Sequence, residues 1–288
     1  MSRIHEALER AEQDRKSVRL SPVTASANGS ISTAQEEASH WSSGPTDLER
    51  LEQCPCSEWR SASKYTILEE TRENEPVTEE FRTLRSRLQQ MQAQRSLKKL
   101  LVSSALQGEG KSFVASNLAI ALAKQRNCRV LLVDGDLRRP QLHTILSSPS
   151  APGLSEYLRG RSDQWAVMQR APQLKNLYFI PGGEQSDPGG ELITNGGLAG
   201  LINRCESLFD WIIIDSSPMI PVADAVSMAQ FCDGVLLVVR ADSTPVEIAR
   251  KVRGHIREDQ WIGAVLNRVS QFDGRLSYYY GTRAHERA

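Results

Sequence analysis

The stretch from residue 100 to residue 118 constrains the fold of this chain more than any other part. An apolar run, LLVS at residues 100–103, leads into SALQGEGKS at residues 104–112, and a helical pattern follows at once. Gly108 and Gly110 allow the backbone to turn its N–H groups inward around phosphate oxygens. A strand, a glycine turn and a helix start in this order predict a Walker A loop, with Ala105 in place of the usual first glycine.

Each part of this loop has a role in binding a nucleotide triphosphate. The helix start contributes the positive end of its dipole. Lys111 is expected to reach the β- and γ-phosphates, and the Ser112 hydroxyl to bind Mg²⁺. The alternative is a glycine turn that opens a helix and binds nothing. The residues predicted to bind the cofactor here are Gly108, Glu109, Gly110, Lys111, Ser112 and Phe113.

Two carboxylates follow the next apolar run. Residues 130–133 read VLLV and are followed by Asp134 and Asp136, where a strand ends at the ligand-binding edge of a sheet. Unpaired acids there are costly unless they hold a cation or a proton. They could share a metal with the nucleotide, or one could take a proton from an attacking hydroxyl. The alternative is a solvated turn in which Arg138 and Arg139 pair with the two acids.

A third acidic strand end resembles a Walker B motif. Residues 211–214 read WIII and are followed by Asp215. The carboxylate would orient the water shell of the metal ion. An ordinary strand-end aspartate is the alternative, but the three segments occur in the order of a P-loop protein. We therefore predict Lys111, Asp134, Asp136 and Asp215 as the catalytic groups, and Ser112, Asp134 and Asp215 as the metal site.

Short apolar runs alternate with helical stretches from Leu97 onward. Strands separated by helices predict an α/β fold with a mostly parallel sheet covered by helices on both faces. Such a sheet binds its ligand at the carboxyl ends of the strands. The predicted strands are 99–103, 129–134, 177–181, 211–215, 234–239 and 262–267, and the predicted helices are 111–125, 190–207, 221–231 and 245–258.

The whole chain divides into four parts. Residues 1–17 carry an amphipathic stripe with apolar residues at helical spacing. Residues 18–63 are rich in Ser, Thr, Glu and Gln, which predicts a flexible linker because few apolar residues are available for burial. Residues 64–270 form the expected nucleotide-binding domain, which opens with a helix from Thr78 to Gln94, and residues 271–288 form a tail.

Composition excludes several classes of function. Lys and Arg together number 35, as do Asp and Glu, so no basic excess points to nucleic acid. The five cysteines are odd in number and lack a zinc spacing; Cys54 and Cys56 are expected to be free thiols in the linker. No run approaches the roughly 18–20 apolar residues that cross a bilayer, and the start lacks a signal-peptide core. These features favour a reduced, cytoplasmic chain that does not itself span a membrane.

The motifs together resemble a known family. The Walker A loop, the DGDLRRP segment at residues 134–140 (a Walker A′ box) and the Walker B segment are similar to those of bacterial tyrosine kinases, or BY-kinases. These are deviant P-loop ATPases, and the resemblance covers about residues 65–282. Chromosome-partition and septum-site ATPases of the same group carry a signature lysine five positions before the P-loop lysine. Leu106 occupies that position here, which favours the kinase branch.

The resemblance implies further site residues. Glu79, Arg82 and Arg85 match the ExxRxxR self-association motif of the family, and their spacing puts them on one helical face. An exposed charged face is the alternative. The resemblance implies that Asn267 and Arg268 contact adenine. It also implies that a C-terminal tyrosine cluster accepts the phosphate, and that cluster is Tyr278, Tyr279 and Tyr280.

By resemblance, the activity is ATP- and Mg²⁺-dependent tyrosine autophosphorylation in trans that regulates capsule or exopolysaccharide synthesis and export. The implied partners are other copies of the chain in a ring, a phosphatase, and a transmembrane polysaccharide co-polymerase whose cytoplasmic tail activates the kinase at the inner face of the plasma membrane. Two alternatives remain open. One is a partition- or positioning-type ATPase that transfers phosphate to water, and the other is a nucleotide-binding scaffold without chemistry.

Overall fold

The computed structural model describes residues 45–60, 67, 76–184, 192–193, 195–220 and 223–269. Seven strands form one sheet in the order β3-β4-β2-β5-β1-β6-β7. Every neighbouring pair is parallel except β3 and β4, which are antiparallel. The prediction of a mostly parallel α/β sheet is therefore confirmed.

The elements follow one another in the described residues with short connections. The strands are β1 (Lys99–Ser104), β2 (Val130–Asp134), β3 (Gln169–Arg170), β4 (Leu177–Ile180), β5 (Trp211–Asp215), β6 (Gly234–Arg240) and β7 (Trp261–Asn267). The α-helices are α1 (Asp47–Glu52), α2 (Pro76–Gln94), α3 (Lys111–Ala123), α4 (Leu142–Leu146), α5 (Leu154–Leu158), α6 (Gln164–Val167), α7 (Gly197–Cys205), α8 (Asp224–Ala229) and α9 (Val246–Arg253).

Two apolar layers cover the two faces of the sheet. Because successive side chains of a strand point to opposite faces, Leu101 and Ile212 belong to one layer and Leu100 and Ile213 to the other. The first layer packs against α7, α8 and α9, and the second against α2, α3 and α4. Helix α3 is apolar around its whole circumference, and nearly all of it is buried. This burial fixes the start of α3, and therefore the loop before it, against the sheet.

The observed element ends differ from the predicted ends for local reasons. Helix α2 begins at Pro76 rather than Thr78, because proline is well suited to the first turn of a helix. Helix α7 begins at Gly197, directly after Gly196 with φ 77°, and residues 192–193 inside the predicted helix 190–207 are also helical. Helix α9 ends at Arg253, where Gly254 follows. The two-residue strand β3 was not predicted, since it is too short to show a pattern.

The prediction of a flexible linker over residues 18–63 is wrong for residues 45–60. Thr46 caps helix α1 through a capping box with Glu49. The segment then crosses the edge of the sheet, where Arg170 of β3 donates its N–H to Pro55 O at 2.9 Å and accepts one from Ser57 N at 3.0 Å. The buried Trp59 ring packs edge-on against Phe179, 6.0 Å between centroids. This segment is part of the folded body.

The cysteines of this segment are also not in a linker. Cys54 is buried in the layer that contains helix α7, while Cys56 is exposed and bridges to Arg170. Burial raises the pKa of the Cys54 thiol to about 11, so the thiol is protonated at neutral pH. Both thiols are free, as predicted. Within the part of the chain that the structure describes, no helix combines the length and apolarity needed to cross a bilayer.

Candidate nucleotide and phosphoryl-transfer site

The loop between β1 and α3 has the backbone that a phosphate cradle requires. Gly108 and Gly110 have φ angles of 82° and 94°, in the left-handed region that favours glycine. Gly110 is also the residue before α3, so the free N–H groups of the first helical turn point into the loop. A side chain at position 110 would clash with the Asn267 amide. Both glycines are therefore required for conformation, and Gly110 for space as well.

Side chains from distant strands hold this loop in place. Glu109 is 2% exposed; its carboxylate accepts a hydrogen bond from Leu106 N at 2.6 Å and another from the Thr244 hydroxyl. Asn267, at the end of β7, donates its amide N–H to Glu109 O at 2.8 Å. Sequence reasoning missed Thr244, although its position just after β6 places it at the same edge of the sheet. Glu109 therefore supports the loop from inside.

The remaining predicted cofactor residues are arranged differently. The Phe113 ring packs against Phe81 of α2, with 5.8 Å between centroids, so its side chain belongs to the core. Arg268 is exposed at the end of β7, and its N–H bonds to Asn267 Oδ1. Contact of Asn267 and Arg268 with adenine remains a prediction.

Lys111 meets the acidic strand ends at the centre of the site. Its Nζ lies 2.8 Å from Asp136 Oδ2, 3.9 Å from Asp215 Oδ1 and 3.3 Å from the Ser112 hydroxyl. Burial alone would lower the pKa of Lys111, but the charges of Asp215, Asp136 and Asp134 outweigh burial and raise it. Lys111 is therefore fully charged at neutral pH, and three carboxylates face one cation.

Asp134 and Asp215 are both 0% exposed, on neighbouring strands paired in register. Asp134 Oδ2 accepts hydrogen bonds from Gln141 N and Leu142 N, both at 3.0 Å. Asp134 Oδ1 and both oxygens of Asp215 have no partner of normal hydrogen-bond geometry among the described residues, although the Ser112 hydroxyl and the Ser216 N–H lie near enough to lower the pKa of Asp215. Burial, followed by the charge of Asp215, raises the pKa of Asp134 well above its usual value. Burial also raises the pKa of Asp215, to about 6, although Lys111 opposes the shift.

These orphaned oxygens fit a magnesium nucleotide. Carboxylate oxygens left without partners in a buried site carry a large desolvation cost, which a cation relieves. Among the described residues no cluster of three or more acidic, histidine or cysteine side chains could hold a metal alone. Mg²⁺ usually keeps several waters and binds through one or two carboxylates together with substrate phosphates. Ser112, Asp134 and Asp215 suit that mode of binding.

The arginines of the acidic turn do not neutralise the two acids. Arg138 Nε pairs instead with Asp224 Oδ2 of α8 at 2.9 Å. Arg139 contributes its backbone N–H to Asp136 Oδ1 at 3.2 Å, while its side chain is exposed. A solvated turn closed by arginine–aspartate pairs is therefore not what the structure contains. Asp224 was missed by sequence reasoning, because it lies 86 residues from Arg138 and belongs to no motif.

The three charged residues of the ExxRxxR match do not share one environment. Glu79 and Arg82 pair with each other on the surface of α2. Arg85 turns toward the body, where its Nη1 donates to Ala121 O at 2.9 Å, in the last turn of α3. The alternative of one exposed charged face is therefore wrong for Arg85, and self-association through these three residues remains a prediction. Tyr278, Tyr279 and Tyr280 lie outside the described residues, as does the helix predicted within residues 1–17.

Comparisons with known proteins agree with this geometry. Residues 100–279 match the family model for the CobQ/CobB/MinD/ParA nucleotide binding domain. The chain is 30% identical over 208 residues to the tyrosine-protein kinase YwqD of Bacillus subtilis, covering 72% of this chain and 87% of YwqD. It is 31% identical over 213 residues to the succinoglycan biosynthesis transport protein ExoP of Rhizobium meliloti, covering 69% of this chain but 27% of ExoP.

A solved structure with the same fold is the kinase domain of the Escherichia coli tyrosine kinase ETK. It is 25% identical, with a TM-score of 0.63, and the match covers 80% of this chain and 98% of that domain. The family model covers more than half of the chain, and YwqD is matched over most of its length. The chain therefore belongs to the CobQ/CobB/MinD/ParA nucleotide-binding family and, within it, to the bacterial protein-tyrosine kinases.

Proposed function

We propose that this kinase phosphorylates the tyrosine cluster Tyr278, Tyr279 and Tyr280 of a second copy of the chain. The observation that carries the proposal is the pair of buried aspartates, Asp134 and Asp215, whose oxygens lack partners beside Lys111 and the phosphate loop. A site with surplus buried negative charge and one lysine is suited to a magnesium triphosphate. Phosphoryl transfer requires mainly such positioning and charge neutralisation.

In the reaction, the acceptor tyrosine oxygen forms a bond to the γ-phosphorus, and the bond from that phosphorus to the β–γ bridging oxygen breaks. ADP leaves, and the phenolic proton passes to Asp134 or Asp136. Mg²⁺, when bound with the nucleotide by Ser112, Asp134 and Asp215, would supply charge neutralisation on the phosphates.

Lys111 has to move for this reaction. Its ammonium pairs with Asp136 at 2.8 Å, and the same ammonium is the group that would contact the β- and γ-phosphates. Nucleotide binding would therefore exchange one anionic partner of Lys111 for another and leave Asp136 free to face the acceptor. This exchange requires no rearrangement of the strands.

The cellular role follows from the named relatives. ExoP is named for succinoglycan biosynthesis and transport, and most of its length has no counterpart in this chain. We therefore assign the kinase a role in regulating capsule or exopolysaccharide synthesis and export, at the inner face of the plasma membrane. A separate transmembrane co-polymerase would activate the kinase through its cytoplasmic tail, with residues 1–17 as a docking element. Deletion of residues 1–17 without loss of co-polymerase binding would remove that assignment.

A cycle of phosphorylation requires that copies of the chain associate and that the phosphate is later removed. Copies would associate in a ring through α2, and accumulated phosphate, at about −1.5 to −2 charges per tyrosine, would expel the tail from the acidic site. A protein-tyrosine phosphatase would restore the starting state.

The decisive experiment incubates purified protein with labelled ATP and Mg²⁺ and maps phosphotyrosine. We expect label on residues 278–280, none with Lys111→Met, and none when all three tyrosines are changed to phenylalanine. Steady ATP hydrolysis without phosphotyrosine would instead support a partition-type ATPase. ATP binding without any chemistry, with the co-polymerase tail supplied, would support a scaffold.

A further inference from the structure

A cavity of about 420 Å³ lies beside the phosphoryl-transfer site, within the size range of ligand pockets. One wall is the turn and helix that follow β2, and the other is the loop that follows β4. The lining residues used below are Pro140, Gln141, His143, Thr144, Gly183 and Glu184.

Both walls of the cavity are attached to Asp134. Gln141 N bonds to Asp134 Oδ2 at 3.0 Å. A Cβ on Gly182 would lie 2.6 Å from Pro140 Cβ and 3.7 Å from Asp134 Cγ, so the two walls meet against the aspartate. In the sheet, β4 lies on one side of β2, whereas β5 and β1, with the phosphate loop, lie on the other. Asp134 therefore stands between the phosphate loop and the cavity, where an acceptor hydroxyl would enter.

The wall after β4 is held rigidly by a second carboxylate. Glu156 accepts hydrogen bonds from Gly153 N at 2.6 Å and from Glu184 N at 3.0 Å. Gly183 has φ 85°, and a Cβ there would clash with the Glu156 carboxylate. The backbone of Glu184 is thus fixed, while its side chain is exposed.

Glu184 gives the cavity its charge. Burial lowers the pKa of His143, so this imidazole is neutral at pH 7. The other described residues that line the cavity have no ionisable side chain. The Glu156 carboxylate is already occupied by backbone N–H groups and Ser155. Glu184 is therefore the carboxylate that remains for a basic group on a ligand.

Glu184 follows strand β4 closely, and arginines lie equally close to the tyrosine cluster in the sequence. Ile180 pairs in register with Val133, so the chain leaves the sheet at Pro181, level with Asp134. Glu184 follows three residues later, at most about 10 Å along the chain. In the sequence, Arg275 lies three residues before Tyr278, and Arg283 lies three residues after Tyr280.

We propose that this cavity binds the residues flanking the acceptor tyrosine, and that Glu184 pairs with an arginine three residues from the tyrosine cluster. The inference rests on the proposed function, since it names the acceptor subsite of the same reaction. It makes Glu184 a positioning residue: it selects the acceptor but does not touch the transferred phosphate.

The test separates enzyme from acceptor. The enzyme is the full chain with Tyr278, Tyr279 and Tyr280 changed to phenylalanine, and the acceptor is the full chain carrying Lys111→Met. Glu184→Arg in the enzyme should raise the KM for the acceptor about tenfold, with kcat and the affinity for magnesium-ATP unchanged. Changing Arg275 or Arg283 of the acceptor to glutamate should raise the acceptor KM of the enzyme that keeps Glu184. The same change should lower the acceptor KM of the Glu184→Arg enzyme toward its original value.

Glu247→Arg is the matched control, because Glu247 is an exposed glutamate on α9, beside β6 on the other flank of the sheet. It should leave the acceptor KM unchanged. Glu184→Gln serves as a milder second variant, with nucleotide affinity as its check of folding. An unchanged acceptor KM in both Glu184 variants overturns the inference, as does the absence of any charge-reversal rescue. Failure of the proposed function looks different: the unmodified enzyme then forms no phosphotyrosine on any acceptor.

Discussion

Asp233 at the amino ends of the strands and Asp215 at the carboxyl ends have opposite surroundings. Asp233 Oδ2 accepts hydrogen bonds from Lys98 N and Lys99 N, both at 2.8 Å. Lys99 Nζ in turn lies 3.0 Å from Glu206. Neither oxygen of Asp215, in contrast, has a partner of normal hydrogen-bond geometry among the described residues, and Lys111 stays 3.9 Å away.

The two ends use the same residue types in the same sheet, so the difference lies in what each charge is paired with. Charges at the amino ends satisfy backbone groups and tie neighbouring strands together. Charges at the carboxyl ends are held in a low-dielectric site with too few partners, which costs stability and suits a charged ligand. Substitutions in pairs, one at each end, can test this distinction.

The largest expected effect is on catalysis. Lys111→Met should reduce autophosphorylation by roughly 100-fold or more, because loss of a preorganised charge at the reacting group typically has that effect. Lys99→Met is the matched control: it removes a half-buried lysine from the other end and should leave activity intact while costing about 1 kcal/mol of stability. Phosphotyrosine formation and urea unfolding measure the two effects. Equal losses of activity in both variants would contradict the distinction between the ends.

The second prediction concerns the free energy of unfolding, which asparagine substitutions at the two ends of the strands should change in opposite directions. Asp215→Asn should stabilise the nucleotide-free protein by about 2 kcal/mol while abolishing activity, since it removes a buried charge that is poorly compensated. Asp233→Asn should destabilise it by about 1 kcal/mol, because the hydrogen bonds to Lys98 N and Lys99 N lose their charge assistance. Urea unfolding followed by the fluorescence of the buried Trp59 and Trp211 would report both changes. Destabilisation by Asp215→Asn would show that this carboxylate is structural.

Much of the carboxyl end could be predicted from the sequence, because its signals are local. Strands β2 and β5 are apolar runs that end in Asp134 and Asp215, the phosphate loop follows the apolar run of β1, and the strand–helix order implies that the three ends meet. The pairing of Lys111 with Asp136 and the exclusion of Arg138 could not be predicted. They depend on how loops from different strands pack, and Asp224, the partner of Arg138, belongs to no motif.

The segment 45–60 was missed for a related physical reason. Leu51, Cys54 and Trp59 are isolated apolar residues in a polar stretch, with no helical or alternating period. Their burial exists only because the edge strand β3 and the side of Phe179 are present to receive them. Such non-local burial leaves no signal in composition, and composition alone predicted a linker.

The third prediction uses pH to sharpen the comparison. The pKa of Asp215 is about 6 in the folded protein, against 3.8 when unperturbed. Between these values the folded protein keeps a proton that the unfolded chain has released. The contribution of Asp215 to stability is therefore fully present below pH 3.8 and is lost as the pH rises through about 6. The extra stability of Asp215→Asn over the unmodified chain should grow across this window and then level off.

Glu156 should show the opposite pH dependence of its contribution to stability in the same unfolding experiment. Burial would raise the pKa of Glu156, but hydrogen bonds from Gly153 N, Glu184 N and the Ser155 hydroxyl outweigh burial and lower it. Its contribution is present above pH 4.5, its unperturbed pKa, and is lost as the pH falls through the lower folded value. Glu156→Gln should therefore be most destabilising at neutral pH.

A difference between Asp215→Asn and the unmodified chain that does not change between pH 4 and 7 would contradict the burial argument.

The smallest expected effect comes from α2, where Arg85 bonds to a group within the fold and Arg82 remains on the surface. Arg85 donates to Ala121 O at the carbonyl end of α3, so Arg85→Ala should cost about 1 kcal/mol by removing a hydrogen bond from a charged donor. Arg82 pairs only with the exposed Glu79 among the ion pairs of the described residues, so Arg82→Ala should cost at most about 0.5 kcal/mol. Urea unfolding, together with sedimentation of the concentrated protein, separates the two. Arg82→Ala should weaken self-association with no more than this small loss of stability, because its side chain is on the surface. Arg85→Ala could instead abolish self-association at unchanged stability. The contact with Ala121 would then not stabilise the fold, and Arg85 would be a residue that binds a second copy of the chain.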